Sequence, residues 1–233
     1  MLQELKKQVS YFINNRLYMV SLIFAAIAGY GYEIIHSSMG IDDVCIEIYF
    51  DDGLGVAIGR WPFYLINKIF HITDFSPFIL ELVAVAFMVF AAILWSAVIR
   101  YIWRKEIPII CYIVFSAMLI DYSLIAEVFV YYLQNGIGII YSLTAVTLFV
   151  FYYIQTRDMK WKQKVPYIAL MSAMICLTIS FYESAAPLFL FGVLVVMLVD
   201  AVCGNRMGVN KFVKCFDCMF ITGRVLVYGI IGR

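Results

Sequence analysis

Asp42 and Asp43 stand side by side after Gly40-Ile41, and Glu47, Asp51, Asp52 and Arg60 follow within one segment. Clustered carboxylates beside a guanidinium suit two kinds of chemistry. A carboxylate near other carboxylates and partly desolvated has a raised pKa, which suits proton abstraction from a hydroxyl. The same pair could ligate a cation. The bland reading of Asp42 and Asp43 is an N-cap followed by a first-turn acid. Arg60, in Gly59-Arg60-Trp61, is either a snorkelling residue beside an aromatic anchor or a bidentate phosphate ligand. Lys68 is a weaker candidate for the same phosphate.

Three further positions join the candidates. Glu183, in Phe181-Tyr182-Glu183-Ser184, falls at a turn between two apolar runs, where a solvated charge is the ordinary explanation. Asp121 and Glu127 either line an outer cavity or are simply wet. Asp51-Asp52-Gly53 reads mainly as turn chemistry. His36 and His71 are isolated, and no residue set is assigned to a resident metal. Cys215 and Cys218 form a CxxC with no second pair or His partner nearby. The six cysteines therefore read as small hydrophobes rather than a disulfide framework. No P-loop, GxGxxG, GxSxG or HExxH motif is present, so nucleotide hydrolysis and serine catalysis have no support.

The elements that must position these residues are membrane helices. The chain is 64% hydrophobic, 14% charged and 17% aromatic, far more apolar than a soluble domain. A formal net charge of +1 offers no basic field for nucleic acid. Six runs are long and apolar enough to be read as spans: Leu17–Ile35, Pro77–Val98, Ile107–Ser123, Ile137–Ile154, Val165–Phe181 and Ala185–Val202. A seventh run, Phe216–Ile231, carries Asp217 and Arg224. The expected fold is all-α: a polytopic membrane protein of six to seven helices, with residues 1–233 forming one membrane domain. No cleavable signal peptide is evident in the polar N-terminal stretch.

Charge sorts along this alternation. Lys6, Lys7 and Arg16, the Arg100–Lys105 segment, the Arg157–Lys164 segment and the Arg206–Lys214 segment all fall on one side. The other side carries only Arg60 and Lys68 as cations, yet holds Glu33, Asp42, Asp43, Glu47, Asp51, Asp52, Asp74, Glu81, Asp121, Glu127 and Glu183. Basic residues set orientation, so the N-terminus is expected in the cytoplasm and the acids outside. Acids do not set topology, and a functional outer face is one explanation of their bias. The first outer loop is long. In Trp61–Ile72, Leu65, Ile66, Ile69 and Phe70 recur at helical spacing, with Asn67, Lys68 and His71 opposite, which predicts an interfacial helix. Leu124–Leu133 is a second such candidate, with Glu127 on its wet side.

The order Gly40-Ile41-Asp42-Asp43, then Ile58-Gly59-Arg60-Trp61, then Ser180-Phe181-Tyr182-Glu183-Ser184, resembles the GtrII-type glucosyltransferases of bacterial membranes, from about Leu17 to Leu198. The resemblance implies a GT-C-like helical fold and a sugar donor on polyprenyl phosphate. It also implies transfer to a surface glycan or its lipid-linked precursor at the outer face of the cytoplasmic membrane. It implies Asp42 or Asp43 as the acidic site residue and Arg60 in the family's Gly-Arg-aromatic motif. Tyr182-Glu183 departs from the more usual Tyr followed by Gln. Family members usually continue for further spans, so the chain is expected to be an N-terminal part or a reduced member.

The mechanism expected on this basis is a single displacement. The donor phosphate sits against Arg60, helped by Lys68, and one of Asp42 and Asp43 takes the acceptor's proton. The other positions the acceptor or holds a divalent cation, Mg²⁺ or Mn²⁺. The alternatives are a transporter or flippase for a polar or lipid-linked solute, and a non-catalytic subunit of a membrane complex. Transporters place ionisable groups near the midplane, whereas these spans hold almost no mid-depth charge.

Overall fold

The computed structural model describes residues 1–36, 61–71, 77–103, 106–121, 136–181 and 185–203. Among them all regular structure is helical, in eight helices: α1 Leu2–Ile13, α2 Arg16–Ile35, α3 Trp61–Phe70, α4 Pro77–Trp103, α5 Ile109–Ile120, α6 Ile137–Thr156, α7 Trp161–Phe181 and α8 Ala185–Val202. Every apolar run expected within the described residues forms a helix, with bounds shifted by a few residues. The seventh run, Phe216–Ile231, and the Leu124–Leu133 candidate lie outside the described residues.

Three of these helices, Phe78–Trp103, Ile137–Thr156 and Trp161–Phe181, are long and apolar enough to cross a membrane. A fourth candidate is the pair Leu2–Ile13 and Arg16–Tyr32, bent by 76°. Ile109–Ile120 and Ala186–Val202 are shorter apolar helices. The 27 residues of α4 extend about 40 Å, more than a hydrocarbon core requires.

The bend between α1 and α2 has a local cause. Asn15 is extended (φ −87°, ψ 103°) and its Oδ1 accepts from the Tyr18 N–H at 2.9 Å, starting α2 afresh. Lys160 and Gln163 do the same for α7, where Gln163 Oε1 accepts from the Lys160 N–H at 3.1 Å.

Helix α4 is the hub. One cluster joins it to α1, α2 and α5 through Phe12, Tyr18, Leu22, Tyr30, Met88, Ile93 and Ile120. The other joins it to α6, α7 and α8 through Trp95, Val98, Leu148, Phe149, Met171, Phe189 and Val193. α4 and α6 approach so closely that a Cβ on Gly138 would lie 2.7 Å from the Phe87 carbonyl carbon and 2.8 Å from the Met88 nitrogen. Glycine is required there by backbone contact. α7 is peripheral, with far less of its apolar length buried in the protein than α4 or α6. An apolar helix with so little protein cover presents its side chains to lipid.

Helix α1 departs from the sequence reading, which treated its residues only as a polar stretch. Leu2, Leu5, Val9 and Phe12 recur at three- and four-residue intervals, the signal that identifies an amphipathic helix. Phe12 is fully buried against Tyr18 (ring centroids 4.7 Å) and Tyr112 (5.0 Å).

Candidate functional site

Contacts between helix ends show which termini share an end of the bundle. The Tyr30 hydroxyl donates to the Ile120 carbonyl at 2.5 Å, pairing the ends of α2 and α5. A Cβ on Gly136 would lie 3.1 Å from Phe181, pairing the start of α6 with the end of α7. At the opposite pole, Tyr152 donates to Asp200 Oδ1 at 2.8 Å, pairing the ends of α6 and α8. The alternation therefore gathers Glu81 and Asp121 at one end. It gathers Lys6, Lys7, Arg100, Arg157 and Lys160 at the other. Among the described residues the basic side chains are thus sorted in space; the acids are not, since Glu4, Glu106, Asp158 and Asp200 lie with the basic residues.

At the acidic end, Asp121 is the C-cap of α5, its N–H donating to the Ala117 carbonyl at 2.8 Å. Its carboxylate lies directly over Gly29 of α2, where a Cβ would collide with Asp121 Oδ1. Desolvation in this contact raises the Asp121 pKa above its ordinary value, although much of the residue faces outward. The negative end of the α5 dipole disfavours the anion further.

Glu81 is a residue whose site potential sequence reasoning missed, naming it only among the outer acids. It is 3% exposed, in the second turn of α4. It shares a face with Ala84, Val85 and Met88, which are also buried. Ala84, Val85 and Met88 belong to the core shared with α1, α2 and α5, and the Gly138 crossing with α6 lies about 10 Å further along α4. The available signal was an acid inside an apolar run, since ionisable groups at membrane depth are costly and mark function by default.

Helix α3 supplies the third part of this end. Ile66 packs against the cluster of Ile140 and Phe181, so α3 rests on α6 and α7. Leu65, Ile69 and Phe70 of the expected apolar face remain 45%, 59% and 63% exposed, leaving an apolar surface of the kind an interfacial helix buries in lipid. Trp61 is exposed at the start of the helix. Lys68 Nζ lies 5.8 Å over the Tyr64 ring, one turn away. His71 ends the helix with φ 48°, the left-handed conformation that helix C-termini commonly adopt.

Of the candidate residues, the structure thus places Trp61, Lys68 and Asp121 at the acidic end, α3 lying beside α6–α7 and Asp121 beside α2. Asp42, Asp43, Arg60, Glu127, Tyr182 and Glu183 lie outside the described residues. Among the described residues no group of three His, Cys, Asp or Glu side chains is arranged to hold a metal ion.

A family model described as glucosyl transferase GtrII matches residues 31–231. The chain belongs to the GtrII glucosyl transferase family. The matched residues take in Asp42-Asp43, Gly59-Arg60-Trp61 and Tyr182-Glu183, and begin near the acidic end of α2. Helix α1 precedes them. No curated protein and no solved structure matches the chain. Family membership together with the apolar helices supports a membrane glucosyltransferase, and hence a sugar donor and an acceptor.

Proposed function

We propose that the chain transfers a sugar, glucose by family, from a polyprenyl-phosphate carrier to a cell-surface glycan or its lipid-linked precursor. In this reading the N-terminus is cytoplasmic and the acidic end is the outer face of a bacterial cytoplasmic membrane. The observation that carries it is the family match across residues 31–231, which includes every residue given a role below.

Arg60, with Lys68, binds the carrier phosphate, and the polyprenyl tail runs between helices into lipid. Trp61 and Tyr182 flank the sugar, while Asp121, Glu127 and Glu183 contact acceptor hydroxyls. The acceptor hydroxyl oxygen attacks the anomeric carbon and its proton passes to Asp42 or Asp43. The bond from the anomeric carbon to the phosphate oxygen breaks, its electron pair leaving with the lipid phosphate. A lipid phosphate is a fair leaving group, so positioning and one base supply most of what is needed. A single displacement inverts the anomeric carbon; a retained configuration would remove this step.

The transporter reading predicts charge at mid-depth. Glu81 and Asp200, the buried acids among the described residues, lie in the second turn of α4 and the last turn of α8. That placement favours chemistry at an end over passage through the middle. The test is transfer of label from radiolabelled polyprenyl-phosphate-glucose in membranes holding the chain. Wild type should label a lipid or polysaccharide acceptor, and D42N/D43N should not. No transfer by folded wild type, in the chain or in a longer form carrying further spans, would sink the proposal.

A further inference from the structure

We propose that α1 is a docking helix for anionic phospholipid, presenting Lys6 and Lys7 to lipid phosphate and Leu2 and Ile13 to acyl chains. The inference stands on the basic end of the bundle and does not depend on the transferase reading, because α1 precedes the family-matched residues.

The helix has three sectors. Its inner sector is built into the protein: Gln8 and Phe12 are buried, and Leu5 and Val9 pack against the two cores. Leu2 and Ile13, about three turns apart, share one flank with Lys6. They are 73% and 50% exposed. The remaining arc holds Gln3, Glu4, Lys7, Ser10 and Tyr11, with Gln3, Lys7 and Tyr11 exposed and Glu4 partly so. An apolar flank bordered by lysines is what a helix lying in a membrane interface presents, the lysine stems following the apolar surface and the ammonium groups reaching phosphate. The 76° bend from α2 turns α1 away from the direction of the spans, as such a position requires.

The exposed flank is held rigidly. Gln8 Oε1 accepts from the Arg100 guanidinium, whose carbon lies 3.7 Å from the Tyr11 ring centroid. Phe12 is clamped between Tyr18 and Tyr112. The Met1 nitrogen donates to the Tyr153 hydroxyl at 3.4 Å, so α1 reaches from the start of α2 to the end of α6. Among the described residues no carboxylate is paired with Lys6 or Lys7. Lys6 and Lys7 outnumber Glu4, the one acid of this helix, and beside an apolar strip they complement an anionic headgroup and its chains better than a zwitterionic headgroup, whose own cation offsets its phosphate.

The test is native mass spectrometry of the full chain ejected from nanodiscs holding equal phosphatidylglycerol and phosphatidylcholine. Wild type should retain phosphatidylglycerol preferentially. K6Q/K7Q should lower that preference roughly 25-fold, from about fivefold per lysine, while K6R/K7R keeps it. Single K7Q should give about the fivefold step, and serves if the double variant loses its helical circular dichroism. Equal retention of the two lipids by wild type would overturn the proposal. So would a preference untouched in K6Q/K7Q but abolished in K160Q/K162Q/K164Q, which would assign the lipid to the segment between α6 and α7.

Discussion

The two ends of the bundle use polar residues differently. At the basic end they join helices. Tyr18 of α2 hydrogen-bonds Ser96 of α4 at 3.0 Å and Ser116 of α5 at 2.7 Å, and the two serines bond each other at 2.9 Å. Arg100 ties α4 to α1, and Tyr152 ties α6 to Asp200 of α8. At the acidic end, Glu81 is buried in an apolar helix face, and Asp121 is pressed against Gly29 with its pKa raised. Burying a polar group is tolerable when it bonds a neighbour, and burying an acid carries a desolvation cost. The contrast is one of residue type: the basic end joins its helices through hydroxyls, Arg100 and the buried Asp200, while the acidic end joins α2 to α5 through the Tyr30 hydroxyl and sets Glu81 and Asp121 at packing surfaces.

The largest effect is expected from Asp42 and Asp43, which the proposed reaction uses as its base. D42N/D43N should lower label transfer by 100-fold or more, the usual scale for losing a general base, with thermal unfolding in detergent unchanged. If activity survives, neither Asp42 nor Asp43 is the base.

Next is the crossing of α4 and α6. Gly138→Ala forces a methyl group into the Phe87–Met88 backbone and should cost about 1–3 kcal/mol, the range for overpacking a core. Unfolding in mixed micelles would read it, and an unchanged midpoint would show that the helices are further apart than described.

Within the basic end, two tyrosines should behave oppositely. Tyr18→Phe removes a hydroxyl bonded to two serines that keep their mutual bond, and should cost about 0.6–1 kcal/mol. Among the described residues the buried Tyr112 hydroxyl has no hydrogen-bond partner. Tyr112→Phe should therefore be neutral or mildly stabilising. Equal losses from both would mean that the rings, not the hydroxyls, hold this end together.

The smallest effect concerns Asp121. Its folded pKa lies above the ordinary 3.8, so between those values the folded chain binds more protons than the unfolded one. Stability then falls as pH rises through that window. Asp121→Asn should match wild type below pH 3.8 and be slightly more stable at neutral pH. A parallel pH profile for the two proteins would show that Asp121 is fully solvated.

What the sequence determined by itself is what depends on local pattern. Apolar runs had to become helices because buried or lipid-facing backbone must satisfy its own hydrogen bonds. Leu65, Ile66, Ile69 and Phe70 already declared α3, and the order of Asp-Asp, Gly-Arg-Trp and Tyr-Glu already indicated the GtrII family that the match at residues 31–231 bears out. Leu5, Val9 and Phe12 equally declared α1, but their signal is weak beside Lys6, Lys7 and Gln8. Only the tertiary structure decided which side of each helix faces protein. Glu81 is a charged letter in an apolar word until α4 turns it into the core, and Asp121 is a loop acid until α5 sets it on Gly29. The choice of α4 as hub follows from the glycine-permitted approach of α6, a long-range contact. Side-chain burial depends on neighbours distant in the chain, and spacing along one helix carries no record of them.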